Sequence, residues 1–206
     1  MMFWNVLLEF TNILNIFRGT SMKYMMYLSS FVVCLMLVTQ PVTAQEKAAN
    51  KFVGVKICAP CHKTEKSGNQ FAVWQKSKHS EAFKALVSDK ANEIAKAKGL
   101  TKPAAESPEC LQCHTLTADA KMVEKTFDPK DGVQCEVCHG AGSAYKSISV
   151  MKDKAKAIAA GLSEYKDDAS IEKKCRTCHN EKSPTYKEFK FEERWPKIKH
   201  ATPKKS

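Results

Sequence analysis

Two apolar stretches occupy the amino-terminal part of the chain. Residues 22–44 read MKYMMYLSSFVVCLMLVTQPVTA, with one lysine near the start, an apolar run at 27–38 and small residues before Gln45. That order predicts a secretory signal peptide cleaved after Ala44. A retained membrane anchor is the alternative, but the apolar run is shorter than the roughly 20 residues that a spanning helix needs. We therefore expect an exported protein in the periplasm, with no stable membrane span in the mature chain.

The predicted cleavage divides the chain into three parts. Residues 1–21 are interpreted as an upstream extension from a misplaced start codon, with a second apolar segment as the alternative. Residues 22–44 are the signal peptide, which would remove Cys34. Residues 45–206 are expected to form a single domain.

Amphipathic helices alternate with polar turns in this domain. Residues 70–87 predict a helix, and residues 93–98 predict helical structure that stops at Gly99. Residues 145–160 predict a helix that ends at Gly161. The expected face of the first helix consists of Ala72, Gln75, His79, Ala82, Phe83 and Leu86.

Two shorter elements complete the predicted fold. Ser170 is placed to cap a short helix that runs into Cys175. The sequence DPKDG at 128–132 is a turn signal and predicts a short hairpin within residues 117–134. The pattern as a whole predicts a mainly α fold of helices and loops with few short strands.

A Cys-x-x-Cys-His motif occurs four times along this pattern. The copies contain eight of the nine cysteines and four of the six histidines, and their unequal spacing argues against simple tandem duplication. The motifs, numbered 1 to 4 in chain order, are Cys58, Cys61 and His62; Cys110, Cys113 and His114; Cys135, Cys138 and His139; and Cys175, Cys178 and His179.

A c-type haem explains why the histidine follows the second cysteine in every copy. Two thiols capture the vinyl groups of the haem, and the adjacent imidazole reaches one face of its iron. Two Cys₄ zinc sites or redox disulfides could use the same cysteines, but both would leave the four histidines without a role. We predict four covalently bound haem c groups around which the helices and loops wrap. Four haems in so small a domain must lie close together, which suits electron hopping.

Bound haems would reduce the positive net charge of the chain and so change the type of partner that it indicates. The formal net charge is +11, which by itself indicates a nucleic-acid or membrane-surface partner. Each haem carries two propionates, however, so four haems would offset most of that charge. Export also disfavours nucleic acid as a partner. Redox partner proteins, with donor and acceptor undefined, are the expected partners.

The second axial position of each iron has few candidate ligands in the mature chain. Outside the motifs the only histidines are His79 and His200, and the only methionines are Met122 and Met151. His79 could be a core histidine and His200 a solvated tail residue, but we interpret both as ligands. Met151 is the further candidate, although a core role is equally open, and Met122 is interpreted as a structural residue. One iron with an open face is the expected outcome.

Several segments resemble the tetrahaem cytochrome c-554 family. They are the first motif followed by W-x4-H-x2-A-F, then GVQCEVCHGAGSAY, and finally CxxCHN with FKFEE and a later histidine. The resemblance covers most of residues 52–200 and implies a small multihaem cytochrome c fold. It implies three haems with two histidine ligands each and a five-coordinate haem at motif 2. By position, His79 and His200 would serve the haems of motifs 4 and 3.

The chain departs from the family at the distal ligand of the first haem. The family histidine falls close to residues 149–151, where Met151 could replace it and raise the reduction potential. Two functions remain open. We favour an electron carrier over an enzyme; the alternative is a reductase of nitric oxide, hydroxylamine or nitrite that binds this small ligand at the second haem. A structural subunit of a larger electron conduit is a third reading.

Overall fold

A computed structural model describes residues 49–202 of the chain. The predicted upstream extension, signal peptide and Cys34 lie outside the described residues. Within them the chain is helical, and the only β pairing is an isolated parallel bridge between Phe52 and Val123. The prediction of a mainly helical fold is therefore confirmed. None of the helices in this part of the chain is both long enough and apolar enough to span a bilayer.

Short helices follow one another through residues 49–202. The α-helices are α1 (Val55–His62), α2 (Gln70–Gln75), α3 (Ala82–Ala85), α4 (Asp89–Ala97), α5 (Pro108–His114), α6 (Cys135–His139), α7 (Ile148–Met151), α8 (Lys154–Ala159), α9 (Asp168–Cys175) and α10 (Phe191–Arg194). Single 3₁₀ turns lie between them at Glu65–Ser67, Ala104–Glu106, Ala120–Met122, Pro129–Asp131, Gly142–Ala144 and Trp195–Lys197.

The predicted helix over residues 70–87 is broken into α2 and α3. Ser77 Oγ donates to the carbonyl of Trp74 at 2.7 Å, and Ser80 Oγ donates to the carbonyl of Ser77 at 2.9 Å. Serine hydroxyls compete in this way with the helical hydrogen-bond ladder. The single-helix prediction was wrong, and His79 lies in the turn between the two helices.

The helix predicted over residues 145–160 is also divided, into α7 and α8. Asp153 separates them because its carboxylate accepts from the backbone N–H of Lys156 at 3.1 Å and caps α8. The predicted end at Gly161 is confirmed, with a φ of 108°. The predicted stop at Gly99, after α4, is confirmed as well.

Two smaller predictions were wrong. Residues 117–134 contain 3₁₀ turns and no hairpin, and Val123 pairs with Phe52 instead of with a neighbouring strand. The N-cap of α9 is Asp167, whose carboxylate accepts from Ser170 N at 2.8 Å. Ser170 is the second member of this capping box, since its hydroxyl reaches back to the cap residue.

The aliphatic core is small and lies around motif 2. Leu86, Ala95 and Ala104 are buried together, and Cys110 and Leu111 of α5 pack against them. Further buried apolar residues are distributed singly through the described part of the chain: Val53, Val55, Leu116, Tyr145, Ala157 and Phe191. So few aliphatic side chains agree with an interior that haem groups would largely fill.

Candidate haem sites

Helix ends position all four motifs. In motifs 1, 2 and 3 the histidine is the last residue of α1, α5 and α6, and motif 4 begins at the last residue of α9. Two cysteines three residues apart in a helical turn lie on the same face, so both thiols can meet one ligand edge. All eight motif cysteines are free thiols, with Cys61 and Cys138 exposed and the others half-buried. The disulfide alternative finds no support in them.

The structure brings His79 next to His179 of motif 4. Their ring centroids are 6.1 Å apart, with an angle of 52° between the ring planes. Two imidazoles on opposite sides of one metal ion, with metal–nitrogen bonds of about 2 Å, have centroids about 6 Å apart. The pair therefore has the spacing of two axial ligands.

A second pair of this kind joins His139 of motif 3 to His200. These ring centroids are 5.8 Å apart, with an angle of 40° between the planes. The two pairs are the ones that the resemblance assigned to motifs 4 and 3. They use both histidines that lie outside the motifs.

Aromatic and cationic neighbours orient the ring of His179. Phe189 stacks on it with a centroid distance of 4.6 Å and an angle of 16°. The guanidinium of Arg176 lies 5.5 Å from the Phe189 ring centroid, and its Nε and Nη2 both donate to Oε1 of Glu172. Phe189 therefore lies between the His179 imidazole and the Arg176 guanidinium, and the ion pair with Glu172 anchors Arg176 to α9.

His139 is held through its backbone and kept neutral by its surroundings. Its carbonyl accepts from Ser163 N at 2.9 Å and from the hydroxyl of Tyr145 at 3.2 Å. Burial, followed by the nearby His200 and His62, lowers the pKa of His139 to about 4. A neutral imidazole is the form that binds a metal.

The imidazole of His62 is oriented by Gln70 of α2. His62 Nδ1 lies 3.2 Å from Gln70 Oε1, which leaves Nε2 free for a metal. Gln70 is buried, and its Nε2 donates to the carbonyl of Ala201 at 2.9 Å and also to that of Ser67. One side-chain amide therefore connects motif 1 to the residue that follows His200.

His114 of motif 2 has a different environment. Its Nδ1 lies 2.8 Å from the carbonyl of Ala82 in α3, an arrangement that orients the ring and leaves Nε2 available. Among the described residues, which include every histidine of the chain, no second histidine ring pairs with it.

Of the two methionines, Met122 lies beside the segment that leads into motif 1. Its backbone carbonyl accepts from Phe52 N at 2.8 Å, six residues before Cys58. Met151 is the half-buried last residue of α7. This helix follows Lys146, whose ammonium group pairs with Glu124 at 2.8 Å, two residues after Met122. Ligation by Met151 stays a prediction.

Neighbouring motifs touch through their cysteines. A side-chain hydrogen bond with Cys135 is the largest cause that raises the pKa of Cys58. Cys178 Sγ of motif 4 donates to the carbonyl of Gln112 in motif 2 at 3.9 Å. The Cys138 thiol of motif 3 also lies near Cys175 of motif 4. Motif 1 thus contacts motif 3, motif 3 lies near motif 4, and motif 4 contacts motif 2.

The side chains present fit haem c better than zinc. In residues 49–202 no three side chains of His, Cys, Asp or Glu are grouped to hold a metal ion, which a Cys₄ zinc site requires. The indole Nε1 of Trp195 is buried without a partner among the same residues. A buried N–H needs an acceptor, and a haem propionate could supply one.

Sequence reasoning missed three residues that shape these sites: Gln70, Glu136 and Tyr145. Each binds backbone or ligand atoms of a motif through contacts that no periodicity reveals. The nearest sequence signal is the glycine pair Gly140 and Gly142 near Glu136, because glycine allows close backbone approach.

The chain is similar to known proteins. Residues 57–140, which include motifs 1 to 3, match the family model described as cytochrome c554 and c-prime. A curated relative is cytochrome c-554 of Nitrosomonas europaea, 28% identical over 140 residues that cover 62% of this chain and 57% of the relative. The match thus spans little more than half of that relative. No solved structure matches this chain.

The family match, the curated relative and the helical fold with its Cys-x-x-Cys-His motifs agree. Together they support the cytochrome c-554 family of c-type cytochromes as the family that this chain resembles.

Proposed function

We propose that this protein is a periplasmic electron carrier with four haem c groups, one for each Cys-x-x-Cys-His motif. The observation that carries the proposal is the pair of histidine contacts, His79 with His179 and His139 with His200. Each has the spacing that two axial ligands of one iron require, and each includes one motif histidine. Bound haem c would supply one-electron chemistry at its iron.

The arrangement of motifs supports electron transfer through the whole domain. Contacts between the motifs support the spatial order 1, 3, 4, 2, which differs from their order in the sequence. Haems attached at neighbouring motifs would be close enough to exchange electrons. The polypeptide would hold the motifs together and set the reduction potentials through ligands, burial and hydrogen bonds.

Lysines are the main feature that a redox partner would meet at the surface. Many are exposed, and several near motif 1 lie beside a thioether position. Charge complementarity of this kind accelerates association of redox partners. We propose partner proteins as donor and acceptor, and we propose no role in nucleic-acid binding.

The first test counts the haems on the exported protein. The intact mass of the holoprotein purified from the periplasm should equal residues 45–206 plus four haem groups. A Cys110→Ala/Cys113→Ala variant should lose one haem and keep the other three. A wild-type mass with fewer haems, or recovery of the uncleaved chain in the membrane fraction, would contradict the proposal.

A small-molecule reductase is the second candidate function. It is favoured by one observation, that no second histidine ring pairs with His114 in the described part of the chain. A reductase would also need proton donors at that iron, whereas the residues packed on α5 form the apolar cluster. The carrier is therefore the main proposal. Anaerobic turnover of nitric oxide, hydroxylamine or nitrite by the reduced holoprotein, abolished in the motif 2 variant, would establish the reductase instead.

A further inference from the structure

A buried carboxylate lies inside the third motif. Glu136 stands between Cys135 and Cys138, and only 2% of its surface is exposed. No lysine, arginine or histidine in residues 49–202 forms an ion pair with it. A buried charge without a counter-ion is costly unless hydrogen bonds satisfy its oxygens.

Backbone N–H groups satisfy both oxygens of Glu136. Oε1 accepts from Gly142 N at 2.7 Å and from Val53 N at 2.9 Å. Oε2 accepts from Gly54 N at 2.8 Å and from Val53 N at 3.1 Å. Every partner is a donor, so a protonated carboxyl would direct its own O–H against an N–H. The geometry is that of a carboxylate with charge-assisted hydrogen bonds.

These donors come from two separate parts of the chain. Val53 and Gly54 lead into α1 and motif 1, whereas Gly142 follows motif 3. A Cβ at Gly142 would lie 3.0 Å from Oε1, so a larger residue would push on the carboxylate. Gln134 adds a parallel connection, because its Oε1 accepts from Val55 N at 2.8 Å. The side chains of Glu136 and Gln134 thus hydrogen-bond motif 3 and the residue before it to the segment at the start of motif 1.

The same carboxylate is close to thioether positions of both motifs. Glu136 directly follows Cys135, and Gly54, whose N–H binds Oε2 of Glu136, also accepts a hydrogen bond of 3.7 Å from Cys58 Sγ. The charge is fixed, shielded from water and located where the edges of two haems would meet. Buried charges are screened by salt much less than exposed ones.

We infer that Glu136 is a positioning residue that docks motif 1 on motif 3, and that its negative charge lowers the reduction potentials of the haems at these two motifs. The inference rests on the proposed function. A negative charge favours the ferric state, which carries one positive charge more than the ferrous state. Its removal therefore makes reduction of these two haems by one electron more favourable.

Glu136→Gln removes the charge with little change of shape, and Glu109→Gln is its matched control. Glu109 precedes Cys110 of motif 2 and is exposed, so solvent screens its charge. In a spectroelectrochemical titration of holoprotein, Glu136→Gln should increase the reduction equilibrium constant of two haems about tenfold, or 59 mV. The other two haems, and all haems of Glu109→Gln, should shift several times less.

In the glutamine variant only the amide oxygen can accept a hydrogen bond, and the NH₂ group would face a backbone N–H donor. The variant will therefore also lose stability. If it does not fold, amide exchange in the unsubstituted holoprotein still tests the docking contact. The N–H groups of Val53, Gly54 and Gly142 should then exchange as slowly as the most protected helical amides. Rapid exchange of these amides would overturn the docking role.

A folded Glu136→Gln protein with unchanged potentials would overturn the electrostatic role, and so would an equal shift in Glu109→Gln. These outcomes are distinguishable from failure of the proposed function. The haem count of the unsubstituted protein tests the proposed function. Amide exchange at Val53, Gly54 and Gly142 tests the docking contact of Glu136 independently of that count.

Discussion

The backbone N–H of Val133 donates a hydrogen bond of 2.9 Å to the carbonyl of His79. The carbonyl of Val133 in turn accepts from the indole Nε1 of Trp74 at 2.8 Å. The segment that leads into motif 3 thus supports the turn that presents His79 to motif 4. The position of this histidine depends on tertiary contacts more than on helix α2.

Gly132 is the residue through which this support can be disturbed. Its φ is 77°, and an added Cβ would lie 2.5 Å from the carbonyl oxygen of His79. Gly132→Ala should therefore displace the His79 turn and destabilise the protein by roughly 2–4 kcal/mol, which combines backbone strain with the clash. Electron paramagnetic resonance should show a new high-spin ferric signal from the haem of motif 4.

Gly99→Ala is the matched control for this variant. Gly99 has a similar φ of 74°, but a Cβ there would have no atom within 4 Å. It should cost only about 1 kcal/mol of strain and leave the haem spectra unchanged. High-spin signals of equal size in both variants would show that the contact with His79 is irrelevant.

Gln70→Leu should affect motif 1 and the carboxyl-terminal tail together. The variant removes the acceptor for His62 Nδ1 and the donor to Ala201, and unpaired buried groups cost about 1–3 kcal/mol each. A weaker hydrogen bond at Nδ1 makes the imidazole a poorer electron donor, so the potential of the first haem should rise. Redox titration measures the potential, and limited proteolysis at Lys197 and Lys199 measures release of the tail.

Gln75→Leu supplies the comparison on the same helix, because Gln75 is exposed. Gln75→Leu should leave the reduction potential of the first haem and the rate of proteolysis at Lys197 and Lys199 unchanged. If Gln70→Leu altered proteolysis but not the potential of any haem, the contact with His62 would have no electronic role.

Tyr145 should contribute stability that disappears in alkali. Its hydroxyl donates to the carbonyls of Gly140 at 2.6 Å and His139 at 3.2 Å. Burial, followed by the charge of Glu136, raises the pKa of Tyr145 above its ordinary value. The unfolded chain ionises near pH 10, before the folded one, so the stabilisation is complete below pH 10 and falls as the pH rises further.

The free energy of unfolding of the Tyr145→Phe holoprotein should therefore lie about 1–3 kcal/mol below that of the unsubstituted protein at pH 8. Urea titrations at pH 8 and above pH 10 should show this gap becoming smaller. Tyr186→Phe is the control, since its hydroxyl accepts one bond of 3.4 Å from Phe189 N. A gap that stayed constant with pH would contradict the role of the buried hydroxyl.

Sequence reasoning succeeded where chemistry is local. Covalent haem attachment requires two cysteines and a histidine within five residues, so the motifs were readable without any structure. The ends of helices at Gly99 and Gly161 were predictable because glycine is the residue that most readily adopts the positive φ found after a helix, and both glycines have a positive φ. Counting the few remaining ligands predicted His79 and His200 as axial ligands, and the structure has each beside a motif histidine, although ligation itself stays a prediction.

Features that depend on distant residues were not readable. Glu136 meets donors 82 and 83 positions away, and Gln70 meets an acceptor 131 positions away. The breaks after α2 and α7 depend on side-chain oxygens of Ser77 and Asp153, which compete with helical hydrogen bonds. Apolar periodicity continues across both breaks and therefore predicted helices that were too long.

Carbon monoxide binding to the fully reduced holoprotein tests the central claim, the axial pairing of histidines, most directly. Rapid binding counts the irons that have an open face, and the account predicts about one molecule per protein, at motif 2, with Met151 as the second ligand of the first iron. His79→Ala and His200→Ala should each add about one, because each removes an axial ligand from one iron. Lys78→Ala, whose side chain is 96% exposed, is the control and should add none. An unchanged count in both histidine variants would contradict the account.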